Sequence, residues 1–253
     1  MRQDDRAPFV DALHAAREAA YEPGEYVGQE SFMRAAEIRE LAVRAGVAPG
    51  VSVLDLCCGV AGPGRFIARE LRCSYLGVDS SASAVAIARG LADGLDCRFE
   101  VAAVPPLPDG AFDVVVLLET MLAFADKEAL VAAVARALPG GGRFAFTVEE
   151  GRPLTSAERN RMPDADTVWL VPVDELEDML VRNGLAVRWR ADWSAEHRAT
   201  AASLLAAFVD GRDTIASVVG RRAADELVRA HRLWVDWLGR RRVRKLAFVA
   251  ERC

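Results

Sequence analysis

The stretch VSVLDLCCGVAGPGRFIA, residues 51–68, constrains the fold of this chain more than any other. It predicts a short apolar strand ending at Leu56, a turn of small residues from Cys57 to Gly64, and then the start of a helix. Such a turn gathers backbone N–H groups at one point, and small side chains let a ligand approach them. Similar turns also occur in α/β proteins that bind nothing there, so the residues that follow decide between the two readings.

A second strand is predicted from Ser74 to Val78, and it ends in Asp79, 20 residues after Gly59. In a doubly wound sheet this spacing places a carboxylate beside the first strand, where it can accept hydrogen bonds from both hydroxyls of a ribose. Alternatively, Asp79 is the N-cap of a helix predicted from Ala82 to Leu91. The small-residue turn upstream favours the ribose role.

Strands and helices alternate through residue 150. Further strands are predicted at Arg98–Val101, Phe112–Leu118 and Arg143–Val148, with a helix at Asp126–Leu138. The near-continuous apolar run of 112–118 is typical of a strand buried on both faces of a parallel sheet. This alternation predicts βαβ units and a doubly wound α/β sheet, with the functional residues at the carboxyl ends of its strands.

The flanking regions are predicted to be mainly helical. A helix is expected at Gln29–Gly46, with Arg34 near its start, and residues 151–171 form a polar loop long enough to be a flap. The remaining predicted elements are a helix at Val173–Asn183, a strand at Leu185–Trp193, two or more helices over Ala195–Arg240 and a final strand at Val243–Ala250.

Composition excludes several classes of function. The net charge of −5 and pI near 5.4 provide no basic field for nucleic acid or anionic membranes, and the basic run at 240–245 is expected to cap a helix or lie at the surface. Five cysteines without CxxC spacing argue against zinc and disulfides, so no metal site is predicted. The charged first residues do not form an apolar leader, and no apolar run approaches the roughly 20 residues of a membrane span. A cytoplasmic protein is expected.

Four segments in chain order resemble the successive motifs of class I S-adenosylmethionine-dependent methyltransferases: VLDLCCGVAGPGRFIA, YLGVDSSASAVAIAR, PPLPDGAFDVVVLLETML and ALPGGGRFAFTVEE. The closing VRKLAFVAER is similar to their last strand. Three further segments resemble the sarcosine and dimethylglycine N-methyltransferase branch and its small-molecule C-methyltransferase cousins: YVGQESFMRAAEI, GPGRF and AHRLWVDWL. The resemblance covers nearly the whole chain.

This resemblance implies a single domain on a doubly wound, Rossmann-like sheet of seven strands. The last strand is expected to be antiparallel and inserted between two others, with a helical lid between strands six and seven. The expected segments are an N-terminal helical segment at 1–46, a cofactor-binding core at 47–150, a flap, helix and strand six at 151–194, a helical cap at 195–240, and the final strand at 241–253.

The implied cofactor is S-adenosylmethionine. Asp55 and the backbone of the 57–61 turn would hold its amino-acid end, Arg34 and Tyr26 would reach its carboxylate, and Asp79 would bind its ribose. Ser80 would lie beside the adenine, the backbone of residues 103 and 104 would meet the adenine edge, and Glu119 would begin the loop under the methionine portion. The cofactor-binding residues that the resemblance implies are Tyr26, Arg34, Asp55, Cys57, Cys58, Gly59, Ala61, Asp79, Ser80, Ala103, Val104 and Glu119.

Two departures from the family pattern change these expectations. Cys57 and Ala61 stand where glycine is usual, which keeps close approach but makes positive φ less accessible. The usual acid after the third strand falls near Val101 or Ala102, and the adjacent Glu100 would point to the opposite face of the strand. Adenine is therefore expected to be held by backbone and apolar contacts.

Methyl transfer is an in-line displacement from a sulfonium carbon, so the protein mainly positions the reactants, and a base is needed only if the acceptor must lose a proton. The candidate catalytic residues are Glu119, His197 and His231; alternatively, Glu119 caps a helix and the histidines are packed residues. An acidic cluster of Glu119, Glu149 and Glu150 could stabilise a transient cation or orient an amine. The predicted substrate-binding residues are Thr120, Met121, Phe124, Trp169, His197 and Trp234, although the tryptophans equally suit the core.

The predicted function is methyl transfer from S-adenosylmethionine to a nitrogen or an activated carbon of a small-molecule metabolite. An alternative is a non-methylating reaction on the same cofactor site, such as a cyclisation or decarboxylation. Methylation of RNA or protein is disfavoured, because the chain has no extended basic surface and the predicted cap would exclude a polymer. The oligomeric state is not predicted.

Overall fold

The computed structural model describes residues 6–253, so residues 1–5 of the predicted N-terminal segment lie outside the described residues. A seven-stranded sheet in the order β3-β2-β1-β4-β5-β7-β6 forms the centre of the molecule. Neighbours from β3 to β5 pair in parallel, whereas β7 is antiparallel to both β5 and β6. The predicted fold class and the insertion of the last strand are therefore confirmed. The strands are β1 Ser52–Leu56, β2 Ser74–Asp79, β3 Cys97–Val101, β4 Val114–Leu117, β5 Arg143–Glu150, β6 Leu185–Asp192 and β7 Arg244–Arg252.

The sheet is covered on both faces, as its apolar strands predict. All four residues of β4 are buried, and the six inner residues of β5 are buried as well. The rings of Phe146 and Phe248 face each other across the β5–β7 pair with centroids 5.2 Å apart. The helices are α1 Arg6–Ala20, α2 Ala35–Arg44, α3 Gly62–Leu71, α4 Ala82–Gly90, α5 Lys127–Ala137, α6 Ser156–Arg161, α7 Val173–Arg182, α8 Ser194–Asp210, α9 Arg212–Val219 and α10 Arg221–Gly239.

Helix α2 begins at Ala35, so the prediction that it starts at Gln29 is wrong. The buried side chain of Gln29 donates to the carbonyls of Glu25 at 2.9 Å and Met33 at 2.7 Å, and accepts from the N–H of Val27 at 2.6 Å. These bonds stabilise a compact loop instead of a helical turn, since a side-chain amide can take the place of backbone partners. Arg34 is the N-cap residue, and its N–H donates to the carboxylate of Glu37 at 2.8 Å.

The segment 151–171 is not the polar loop that the sequence predicts. It contains α6 and a short 3-10 turn, and Glu150 forms a parallel β-bridge with Val171. Its apolar residues, among them Met162 and Leu170, pack against Trp237 of α10. Arg242 binds the carboxylate of Glu158 through two nitrogens, at 2.7 and 2.9 Å. The segment is thus attached to the helical insert, and its role as a flap stays a prediction.

Helices α8, α9 and α10 lie between β6 and β7 in the chain, where the helical insert is predicted. Helix α1 joins them, and Leu13, Phe208, Ile215 and Val228 share one apolar core. We call the layer formed by α1, α8, α9 and α10 the helical cap. No helix within residues 6–253 has both the length and the apolarity needed to cross a membrane.

Candidate active site

The turn between β1 and α3 has an unusual backbone. Cys57, Gly59 and Ala61 all adopt left-handed conformations, with φ of 60°, 56° and 56°. This conformation costs an L-residue about 1–2 kcal/mol, so Cys57 and Ala61 hold the glycine-like path under strain. The turn is fixed by hydrogen bonds from Cys58 N–H to the carbonyl of Val78 at 3.0 Å and from Ala61 N–H to the carbonyl of Cys58 at 2.8 Å.

Two glycines of this turn differ in the space around their Cα atoms. A Cβ on Gly62 would collide with the backbone of Gly28, so only glycine lets the N-terminal loop pack on the start of α3. A Cβ on Gly59 would meet nothing within 4 Å, which leaves its backbone open to a ligand. The structure therefore has a closed side, where the chain packs on itself, and an open side.

Asp79 occupies the open side of the turn. Its Oδ2 accepts from Gly59 N–H at 2.9 Å, and its Oδ1 accepts from Ser81 N–H at 2.8 Å. The hydroxyl of Ser81 accepts from Ala84 N–H at 3.3 Å and caps α4. The alternative role of Asp79 as the helix cap is therefore filled by Ser81, and the carboxylate of Asp79 lies at the cleft.

The cleft at this point has a volume of about 260 Å³. It brings together seven of the predicted site residues, and it adds three residues of the N-terminal loop that the sequence did not identify. These loop residues reach the cleft because Gly28 packs closely on Gly62. The spacing of residues in the sequence does not reveal this contact. The cleft is lined by Gly28, Glu30, Ser31, Cys57, Cys58, Gly59, Val60, Ala61, Gly62, Pro63, Asp79, Leu118, Glu119 and Thr120.

Asp55 lies beneath the turn and does not line the cleft. Its carboxyl group is buried and accepts a hydrogen bond from the hydroxyl of Tyr75 at 2.5 Å. Burial raises its pKa to about 7, the charge of Asp79 adds to the rise, and the Tyr75 bond opposes it. The predicted contact with the amino-acid end of the cofactor stays a prediction, as do those of Ser80, Ala103 and Val104, which also lie outside the cleft lining.

Tyr26 and Arg34 are also outside the cleft lining. The hydroxyl of Tyr26 lies 3.2 Å from Nδ1 of His14. The guanidinium of Arg34 lies 3.3 Å from Glu37 and faces a separate cavity between α1 and α8. The structure does not bring either side chain to the cleft, and their predicted contact with the cofactor carboxylate stays a prediction.

The two thiols at the cleft are neutral. Burial, together with the charges of Asp79 and Asp55, raises the pKa of Cys57 to about 12. Burial and the same two carboxylates also raise the pKa of Cys58. Since the thiolate is the nucleophilic form, these residues serve as small wall residues and not as nucleophiles.

Charged side chains are buried beside the cleft at the carboxyl ends of β4 and β5. We call Glu37, Glu119, Glu149, His197 and Lys245 the buried charge cluster. The ammonium of Lys245, which is 1% exposed, contacts Glu119 and lies 2.5 Å from Oε1 of Glu149, its cross-strand partner. Only Glu119 belongs to both the cluster and the cleft.

Glu119 is fixed from several sides. Its φ is 61°, its N–H donates to Oγ1 of Thr147 at 2.7 Å, and the same hydroxyl donates to its Oε1 at 3.0 Å. Burial raises the pKa of Glu119, but the charges of Lys245 and His197, with hydrogen bonds from Lys245 and Thr147, outweigh it and hold the pKa below its ordinary value. The residue is therefore an anchored carboxylate and a weak base.

The predicted acidic cluster of Glu119, Glu149 and Glu150 is not a bare negative patch. Burial and the charge of Glu119 raise the pKa of Glu149, while Lys245 opposes this rise. Burial lowers the pKa of Lys245, but the two carboxylates outweigh it and raise the pKa above its ordinary value. Oε2 of Glu150 pairs with Nε of Arg244 at 2.7 Å. Strand β7 supplies a cation opposite each of the last two carboxylates, and the predicted action of the cluster on an acceptor stays a prediction.

The two cap histidines have different surroundings. His197 is fully buried, with Nε2 3.6 Å from Glu37 and Nδ1 3.9 Å from Glu119. His231 is bound through Nδ1 to the carbonyl of Leu227 at 2.8 Å, and burial lowers its pKa to about 4. Neither ring lines the cleft. Their catalytic roles are not supported by contact with the cleft, and the packed alternative describes His231 well.

Of the predicted substrate residues, Thr120 alone lines the cleft. Met121 is fully buried in the core, and Phe124 packs against that core. Trp169 lies under the guanidinium of Arg159 at 4.6 Å, and Trp234 packs against a second tryptophan, Trp237. The structure does not assemble these side chains into one aromatic wall, and their contact with substrate stays a prediction.

Comparisons with known proteins fit this geometry. The family described as "Methyltransferase domain" matches residues 53–142. Ajmaline N-methyltransferase of Rauvolfia serpentina is 28% identical over 159 residues, which cover 56% of this chain and 55% of that protein. Methyltransferase GfsG of Streptomyces halstedii is 28% identical over 189 residues, covering 67% of this chain and 65% of that protein. The chain thus spans less than two thirds of the length of either relative.

A solved structure of the cyclopropane synthase MmaA2 from Mycobacterium tuberculosis superposes on this chain with a TM-score of 0.83. The match covers 99% of this chain and 96% of the other at 14% sequence identity, so it concerns the fold alone. The domain match, the strand order and this superposition confirm the resemblance to class I S-adenosylmethionine-dependent methyltransferases. The branch within that superfamily stays a prediction.

Proposed function

We propose that this chain, whose residues 53–142 match a methyltransferase domain, is a class I methyltransferase that transfers a methyl group from S-adenosylmethionine to a nitrogen or an activated carbon of a small molecule. The observation that carries the proposal is the arrangement of Asp79 and Gly59 at the open side of the β1–α3 turn. A carboxylate and an accessible backbone meet there at the cleft. This is the arrangement that a ribose and an adjacent charged group require.

The residues present fit this cofactor. Asp79 would accept from the ribose hydroxyls, and the backbone around Gly59 leaves room for close approach. The N-terminus of α3, which no side chain caps, favours a negatively charged group such as a carboxylate through the helix dipole. When bound, the cofactor supplies an electrophilic methyl group on a sulfonium and leaves as a neutral thioether.

The chain's own residues would orient the acceptor and exclude water. Glu119 presents an anchored carboxylate at the cleft, next to the hydroxyl of Thr120. A fixed carboxylate can orient an amine or stabilise developing positive charge without reorganising during the reaction. Its lowered pKa favours this electrostatic role over that of a strong base.

The small-molecule acceptor is supported by the helical cap. His197, near the start of α8, lies 3.9 Å from the cleft residue Glu119, so the cap approaches the carboxyl edge of the sheet. The N-terminal loop also lines the cleft, through Glu30 and Ser31. A cap and a loop close to the cleft favour a compact acceptor over a polymer.

Calorimetry with S-adenosylhomocysteine tests the cofactor site. We expect the purified protein to bind it, and Asp79→Asn to weaken binding at least about tenfold, the effect of losing a charged hydrogen-bond acceptor. Asp93→Asn, an exposed carboxylate beyond α4, is the matched control and should bind normally. Formation of S-adenosylhomocysteine with small amines and carbon nucleophiles then tests the transfer. A protein that does not bind the compound would exclude the proposal.

A further inference from the structure

We infer that His197 is a positioning residue that holds the carboxylate of Glu119 in place at the cleft from the helical cap. The inference deepens the proposed function and rests on it, since Glu119 is assigned to the cleft of that reaction. It also replaces the expectation that His197 touches substrate, because the ring is fully buried and lies outside the cleft lining.

The two oxygens of Glu119 are held very unequally. Oε1 contacts the ammonium of Lys245 and accepts from the hydroxyl of Thr147 at 3.0 Å. Oε2 has a long contact of 3.4 Å with Phe32 N–H, and Nδ1 of His197 lies 3.9 Å away. The sheet therefore fixes one oxygen, and the orientation of the other depends on the N-terminal loop and the cap.

His197 is itself held in an orientation that serves this purpose. Its ring stacks on Trp193 with an interplanar angle of 11° and meets the edge of Phe32 at 87°. On the far side, Nε2 lies 3.6 Å from Glu37, whose carboxylate also caps α2. Among the described residues neither ring nitrogen has a hydrogen bond, and each lies within 4.0 Å of a carboxylate.

His231 is the matched comparison within the same cap. Its ring lies 5.6 Å from Phe32, close to the 6.4 Å separation of His197 from the same ring. Its Nδ1, however, is bound to a backbone carbonyl of its own helix. If both histidines served only for packing, equivalent aromatic replacements would have similar effects on ligand binding.

Three variants separate positioning from packing. His197→Asn keeps a donor near the position of Nδ1, on the side of Glu119. His197→Gln keeps a donor near the position of Nε2, on the side of Glu37. His197→Phe keeps an aromatic ring but has neither donor. Because Glu119 is also predicted to lie under the methionine portion of the cofactor, we expect the Kd for S-adenosylhomocysteine to rise about tenfold in the Phe and Gln variants and to stay near the native value in the Asn variant. The thermal midpoint should follow a different order, with Phe retained best. His231→Phe should leave Kd unchanged.

A double-mutant cycle tests whether His197 acts through Glu119. In the Glu119→Gln background, His197→Phe should have no further effect on Kd, because the carboxylate it positions is gone. Equal losses in both backgrounds, or affinities that follow the thermal midpoints, would overturn the inference. The outcomes stay separable from the proposed function: a native protein that fails to bind S-adenosylhomocysteine excludes that function, whereas normal native binding with indifferent His197 variants excludes only the positioning role.

Discussion

The two halves of the carboxyl edge of the sheet are built by opposite means. At β1 and β2 the cleft is made of backbone and small uncharged side chains, and Asp79 is the acid that these strands contribute to its lining. At β4, β5 and β7 it is backed by buried carboxylates, an ammonium and an imidazole. The first half presents shape and N–H groups to a ligand, and the second presents fixed charge.

The two halves differ in the unfavourable free energy that the folded structure has to offset in each. The first half holds two non-glycine residues, Cys57 and Ala61, in strained left-handed backbone conformations, and the second half holds one, Glu119. The second half removes charges from water, which is costly unless each charge keeps its partner. Damage to the first half should therefore stay local, whereas loss of one charge in the second half should affect the whole domain.

Lys245→Met gives the largest expected effect. It leaves two buried carboxylates without their ammonium, and breaking a buried pair in this way costs about 3–5 kcal/mol of unfolding free energy. Urea denaturation measures this loss. Arg188→Met, which removes an exposed cation 2.9 Å from Glu251, is the control and should cost less than about 1 kcal/mol. Similar small losses in both variants would show that the buried charges are not coupled as described.

Gly62→Ala should have the next largest effect, in the other half of the edge. The new Cβ collides with the backbone of Gly28, and forcing an extra methyl into packed structure costs about 1–3 kcal/mol. The loop at 28–31 should shift, so affinity for S-adenosylhomocysteine should fall together with stability. Gly90→Ala is the control, because a Cβ there meets nothing within 4 Å. Unchanged affinity in Gly62→Ala would separate the N-terminal loop from the cleft.

In the half of the edge at β1 and β2, Asp55 predicts that the stability of the protein depends on pH. Because the folded pKa of about 7 exceeds the unfolded value of about 3.9, the folded state holds this proton more tightly. Its contribution is fully present below about pH 4 and is lost as pH rises to about 7, with a slope of at most about 1.4 kcal/mol per pH unit. Asp55→Asn should flatten stability over this window in urea titrations at several pH values. Tyr75→Phe, which removes the bond that lowers the pKa, should extend the window upward; an unaltered slope in both would refute the assignment.

Cys57→Gly should have the smallest effect. Relief of about 1–2 kcal/mol of left-handed strain is offset by the greater entropy of glycine in the unfolded chain, so the net change stays within about 1 kcal/mol. Binding of S-adenosylhomocysteine should be retained, which calorimetry measures. Cys57→Leu fills the wall of the cleft and should abolish binding. Binding by the Leu variant would mean that Cys57 does not face the ligand.

The half of the edge at β1 and β2 is predictable from the sequence because the features that identify it are local in the chain. The strand–turn–helix motif, the distance to Asp79 and the apolar run of β4 identify it without tertiary information. Helix α2 shows the limit of such reasoning: residues 29–34 have the apolar spacing of a helix, and the side-chain bonds of Gln29 override it. Those bonds depend on the folded loop and have no periodic signature.

The half of the edge at β4, β5 and β7 is only partly predictable from the sequence. The sequence indicates Glu119 because it ends a central strand, but it predicts that Lys245 belongs to a basic run that caps a helix or lies at the surface. Its burial follows from β7 entering the interior of the sheet, where Glu149 and Glu150 face Lys245 and Arg244 across the strand pair. The sequence does carry a signal for these ion pairs. Two consecutive acids stand at the end of one strand, and two consecutive bases stand at the start of the strand that pairs with it in antiparallel. Glu37 gave none, since it joins the cluster through the packing of α2 against α8.

The position of β7 also has a consequence for how the molecule is assembled. This strand, which carries Lys245, fills the slot between β5 and β6, although it follows both of them and the cap helices in the chain. During synthesis, β6 has no partner strand and Glu119 and Glu149 have no ammonium until this segment emerges. Without β7, Glu119 and Glu149 lack the ammonium of Lys245, so the cleft acquires its final electrostatic character only after this strand has been made.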